Sequence, residues 1–180
     1  MKFCTLSVFA GLAFSTASAV TVPGADTPTF YLVSSSGNAA SNLLPLRTDG
    51  GAGGYATLTG TGPIGQFYFY QGKLVAAPRP GSTSTQRPLI GSVLSPTGCT
   101  AYGSLGFAEG SSTNKCARYD SFYIQSDPEN AQLGAKLTFN FVGGFYACGG
   151  NQDVWYLADP NNGPGGLQCQ PIDLWTVPVH

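Results

Sequence analysis

A serine or cysteine nucleophile needs a base beside it, and the chain offers one histidine, His180, as its final residue. Chain ends fray by default, so no Ser-His-Asp arrangement is expected. Glycoside hydrolysis asks for less: two carboxylates facing each other across a sugar, ~5–9 Å apart. Asp49, Glu109, Asp120, Asp127, Glu129 and Asp159 mostly stand beside Gly, Pro, Ser or Asn, as loop acids do. Asp153 and Asp173 have apolar neighbours and are the least trivially exposed. Nothing in their spacing brings them together, so no catalytic residue is assigned and an enzyme is not expected. No CxxC pair occurs, and no metal or other cofactor is expected. Residues 60–65 read GTGPIG and fit the dinucleotide pattern G-x-G-x-x-G. That pattern works by opening a helix onto a pyrophosphate. Here it contains Pro63 and runs into QFYFY, so it reads as a turn.

The aromatic residues carry the best non-catalytic chemistry. Trp and Tyr combine a flat apolar face with a polar edge, which suits a sugar ring as well as a protein interior. In residues 153–158 (DVWYLA), alternation sends Val154 and Tyr156 one way and Trp155 and Leu157 the other. One pair belongs to the core and the other is open to a surface role. Trp155, Tyr146 and Trp175 are the candidate carbohydrate-binding residues, with core anchoring as the competing role for both tryptophans.

These residues must be positioned in a particular compartment. The start, MKFCTLSVFAGLAFSTASAV, has a lysine, an apolar run, and then small residues ending at Ala19. That is a secretory signal with cleavage expected between Ala19 and Val20. The run is too short for a membrane-spanning helix, which needs ~20 residues. The last residues, IDLWTVPVH, do not form the polar spacer and hydrophobic tail of a GPI signal. Residues 20–180 then form one secreted domain. Charged residues make up 9% of the chain, far below the ~25% of ordinary soluble proteins. No basic cluster exists to neutralise a phosphate backbone, so nucleic acid is not an expected partner, and no later stretch is apolar enough to cross a membrane, so neither is a membrane. With Cys4 lost in the signal, Cys99, Cys116, Cys148 and Cys169 remain, an even set that allows three connectivities in a secreted chain. Cys99–Cys116 and Cys148–Cys169 are favoured because each pair is close in sequence and brackets a loop-rich segment.

The elements read as short strands between punctuation marks. Residues 29–34 (TFYLVS), 55–59 (YATLT), 66–70 (QFYFY) and 73–77 (KLVAA) come first. SFYIQ, KLTFNFV, GFYAC, DVWYLA and IDLWTV follow. Gln71-Gly72 alone separates QFYFY from KLVAA, which signals a two-residue hairpin. KLTFNFV alternates, with Leu137, Phe139 and Phe141 expected on one face. Residues 77–88 (APRPGSTSTQRP) read as an exposed excursion. With 25 Gly and 13 Pro, long helices are not expected. The expected class is all-β, an antiparallel β-sandwich or barrel with two disulfides. A β-trefoil is the alternative, because FYFYQGKLVAA and LTFNFVGGFYAC both read strand, turn, strand.

The block from residue 137 to 177, LTFNFVGGFYACGGNQDVWYLADPNNGPGGLQCQPIDLWTV, holds an alternating strand, an aromatic turn into Ala-Cys and a Trp strand. A Gly/Asn/Pro loop, a second Cys and a final apolar strand complete it. With the signal segment, the early FYLVS strand and the FYFYQGKLVAA hairpin, it resembles small secreted fungal cell-wall proteins of the PhiA type. That resemblance implies a secreted, wall-associated, non-enzymatic β protein with a structural or interaction role. It points to conidium or phialide development, or to host recognition through IgE-binding or elicitor-like relatives. The implied partners are a cell-wall polysaccharide or a wall protein. A lectin-like carbohydrate-binding protein is the alternative, and a glycoside hydrolase a more distant one.

Overall fold

The computed structural model describes residues 26–48, 54–126, 134–161 and 163–179. The signal segment with Ala19 and Val20, Asp49, Asp127, Glu129 and His180 lie outside the described residues. Among the described residues the chain is all-β, and no helix is long and apolar enough to cross a membrane. The strands are β1 (Phe30–Ser35), β2 (Arg47–Thr48), β3 (Ala56–Thr57), β4 (Gln66–Tyr70), β5 (Lys73–Ala76), β6 (Arg87–Ser95) and β7 (Gly98–Ala108). Then come β8 (Ala117–Arg118), β9 (Phe122–Ser126), β10 (Ala135–Phe139), β11 (Phe145–Cys148), β12 (Asp153–Tyr156) and β13 (Cys169–Pro178).

All pair antiparallel in one curled, half-barrel sheet. Its main path runs β5-β4-β1-β13-β11-β12-β7-β6-β8, with β10, β9, β2 and β3 branching from it. The ten-residue strand β13 organises it. Along one edge it pairs with β1 from Phe30↔Pro178 to Ser35↔Asp173. Along the other it meets β11 through Cys169–Ile172 and β10 at Trp175. Curling gives the sheet one concave face, where Phe30, Leu32, Phe67, Ile90, Leu105, Phe139, Phe145, Tyr156 and Leu174 form the main core. Ring pairs such as Phe139–Tyr156, edge-to-face at 5.0 Å, fill its middle.

Both disulfides pair as favoured, Cys99–Cys116 and Cys148–Cys169, across sequence separations of 17 and 21. The two-residue hairpin is present: Tyr70 pairs with Lys73, and Gln71 (φ 50°) and Gly72 (φ 73°) take the left-handed conformation of a type I′ turn. GTGPIG is a turn leading into β4, with Ile64 bridging to Arg47.

Three expectations are corrected. First, β10 stops at Phe139, and Asn140 (φ 51°) and Phe141 (φ 61°) turn the chain, with Phe139 and Val142 exchanging 3.0 Å backbone hydrogen bonds. Phe141 is therefore 62% exposed and stacks on Tyr123 at 4.0 Å instead of joining the core. Second, β11 pairs with β12 and β13 and not with β10. LTFNFVGGFYAC is thus no hairpin, and the likeness behind the trefoil alternative disappears. Third, β6 and β7 form the longest hairpin of the molecule where no strands were expected. Its residues, LIGSVLSPTGCTAYGSLGFA, are too rich in Gly and Ser for strand propensity to mark them.

Candidate functional site

The convex side of the β13-β11-β12-β7 region gathers the sequence candidates. In β11 and β12 alternate residues enter the core: Phe145, Ala147, Val154 and Tyr156 are buried in it. Their neighbours Tyr146, Cys148, Asp153 and Trp155 take the other face. Register then sets them in rows across the strands. One row is Pro171–Tyr146–Trp155–Ser104, another Cys169–Cys148–Asp153–Thr57. Tyr146 and Trp155 are directly opposite each other in the β11–β12 register. Both are partly buried, packed on a small second core of Cys148, Ala158 and Cys169. The bridge is thus a floor for the aromatic pair as well as a chain constraint.

The β12–β13 connection folds back over this floor. Gly163 lies so close to the bridge that a Cβ there would overlap Cys169 Sγ and stand 2.6 Å from the Leu167 carbonyl oxygen. Only glycine permits that approach. Beyond it, a short 3-10 turn at Pro164–Gly166 walls a cleft of about 480 Å³. Tyr102, Leu157, Ala158 and Asp159 complete its lining. The Asp159 carboxylate accepts a 2.9 Å hydrogen bond from the Asn161 backbone N–H.

A second cleft of about 330 Å³ lies on the β1 side, lined by Ser35, Ser36, Gly144, Tyr146, Pro171 and Asp173 among others. Ser36 Oγ donates to the Pro171 carbonyl at 2.9 Å, tying the β1 end to β13. Asp173 is paired with Lys136 at 2.7 Å, which neutralises the carboxylate locally. Neither cleft is lined by lysine or arginine.

Of the three candidate aromatics, Trp155 and Tyr146 meet on this face, whereas Trp175 does not join them. Trp175 is only 3% exposed, opposite Val33 of β1 and Lys136 of β10, where β13 has a strand on each side. It is unavailable for stacking on a sugar. The two candidate carboxylates also stay apart. Asp153 pairs with Cys148, and Asp173 follows Ile172, the partner of Phe145, at the other end of β11. Four residues along β11 and two strand spacings across it put their backbones about 16 Å apart. That exceeds the ~5–9 Å of a hydrolytic pair.

Tyr102 belongs to the site and has no advance signal in the sequence, because it stands in the unrecognised β7. Tyr156, on the concave side, is held away from its ordinary value. Burial pushes the Tyr156 phenol up, partly countered by the positive charge of Arg118. Its hydroxyl donates to the Phe139 carbonyl at 3.1 Å. Comparisons with family models, curated proteins and solved structures return no match to this chain.

Proposed function

We propose that the chain is a secreted, non-catalytic fungal wall or surface protein that works by contact through the convex face of its sheet. The observation that carries this is the Tyr146–Trp155 pair, set in register on the Cys148–Cys169 bridge and flanked by two clefts without cationic lining. Its chemistry matches neutral, hydroxyl-rich polymers: aromatic faces, hydroxyl groups, backbone amides and a carboxylate in each cleft. The export signal in residues 1–19 and the two disulfides support an extracellular setting. The likeness of residues 137–177 to PhiA-type proteins supports the wall, with roles in conidium or phialide development or host recognition following from it.

Lectin-like carbohydrate binding is the second reading, favoured by partial exposure of both aromatic side chains. A glycoside hydrolase is the less favoured third, since Asp153 and Asp173 stand at opposite ends of β11. Fractionation of the tagged protein among cytosol, culture medium, detergent-extracted wall and glucanase-released wall tests the main reading. Recovery in medium and wall fractions is expected; a protein confined to the cytosol would sink the proposal.

A further inference from the structure

The two clefts share a single row of residues. Ser35 pairs with Asp173 across β1 and β13. One position beyond the Ile172–Phe145–Tyr156–Gly103 register, the row continues through Gly144 and Leu157 to Tyr102. The 2.8 Å hydrogen bond from the Leu157 N–H to the Gly144 carbonyl fixes the middle of it. Ser35, Asp173 and Gly144 line the smaller cleft, and Leu157 and Tyr102 line the larger. The clefts therefore lie end to end across β1, β13, β11, β12 and β7. Four strand spacings make this about 19 Å, running across the strands.

The junction between them is built from Gly144 and Leu157. Gly144 contributes no side chain, and a Cβ at that position would stand 3.0 Å from Leu157 Cδ2. Leu157 itself is in the left-handed region at φ 52° and 42% exposed, and it forms the saddle that separates the two clefts. On each side of the saddle stand one tyrosine and one carboxylate: Tyr146 with Asp173, and Tyr102 with Asp159.

We infer that this trough is an extended site for a linear neutral polysaccharide, lying across the strands and occupying both clefts at once. Resting on the contact reading above, this names the partner class and the line along which it lies. An open, repeated arrangement suits a repeating polymer better than one small molecule, which is held in a concavity that encloses most of its surface. Charge narrows the class. With no lysine or arginine in the lining, anionic polymers gain nothing. Asp173 is held by Lys136 and Asp159 accepts from backbone, so a cationic polymer finds both carboxylates engaged. Tyrosine faces and hydroxyl partners remain, and these recognise the C–H faces and hydroxyls of neutral sugars.

The test is calorimetric titration of the full-length secreted protein with N-acetylchito-, laminari- and cello-oligosaccharides of two to six units. Affinity for at least one series is expected to climb with length until both clefts are filled. Tyr102→Ala and Tyr146→Ala should each weaken the hexamer about tenfold. Tyr102→Ala should also flatten the length dependence, and Gly144→Ala, which raises the saddle and also strains a backbone at φ 96°, should penalise the hexamer more than the dimer. Thermal unfolding of each variant identifies any that fails to fold. Equal affinity for dimer and hexamer would reduce the trough to one subsite and overturn the inference. So would tighter binding of a glucosamine hexamer than of the neutral ones, or no binding to any series. If the protein still partitions to the wall in that last case, the wall reading stands and only the trough falls.

Discussion

Residues 145 and 146 are chain neighbours with opposite duties. Phe145 is 1% exposed in the main core, while Tyr146 lies half-buried on the other face against the Cys148–Cys169 bridge. The same split runs through β12, where Val154 and Tyr156 face the core and Trp155 the bridge. The concave face holds the sheet together by burying aliphatic and aromatic groups. The convex face rests on one covalent bond and a close glycine contact, which leaves its side chains partly open to a partner. Stability and contact can therefore be altered separately, although the residues alternate along single strands.

The largest effect should come from the concave side. Phe145→Ala empties a fully enclosed ring position and should cost about 3–5 kcal/mol, read from urea unfolding. Loss of binding in that variant should track loss of folded protein. A cost under about 1 kcal/mol would mean that the core is not where the sheet's stability lies.

Next come the bridges. Replacing Cys148 and Cys169 together with alanine should cost about 3 kcal/mol in the chain-entropy account, and so should replacing Cys99 and Cys116. Their separations of 17 and 21 residues differ little. The pairs should differ elsewhere. Only loss of Cys148–Cys169 removes the floor under Tyr146 and Trp155, so only that variant should weaken glycan binding and change Trp155 fluorescence. Identical binding in the two double variants would remove the floor from the account.

Tyr156 sharpens the comparison through pH. Its folded pKa lies above the unfolded value of ~10. The neutral phenol thus contributes stability in full below ~10, and that contribution is lost as pH rises through the folded value. Tyr156→Phe should cost about 1 kcal/mol at pH 7 for the lost hydrogen bond to Phe139. It should also shrink the alkaline decline in unfolding midpoint between pH 8 and 11. Parallel declines in the two proteins would show that Tyr156 does not report the core.

Much of the concave face was legible in advance. FYLVS, QFYFY, KLVAA and DVWYLA are rich in β-branched and aromatic residues, and their strands are present with alternate residues buried. The disulfides followed from sequence proximity. The convex face was legible only in part, because a half-buried Tyr or Trp looks the same in sequence whichever face it takes. Trp175 shows the limit: IDLWTV gives no sign that its tryptophan would be covered while that of DVWYLA stays half-buried. Phe141 shows another, since alternation continued through KLTFNFV while the backbone turned at Asn140. Tyr102 was missed because Gly, Ser and Ala recur through β7 and mask its strand pattern, and only the register, carried one position past Gly103, brings it beside Leu157.

The smallest stability change accompanies the test that decides most. Tyr102→Ala and Tyr146→Ala combined remove two partly exposed rings outside the main core, so the unfolding free energy should fall by no more than about 1 kcal/mol. Retention of this double variant on isolated fungal wall, measured beside its unfolding midpoint and against wild type, tests the convex face directly. The account predicts a folded protein that is largely lost from the wall fraction. Undiminished retention of the folded double variant would contradict it.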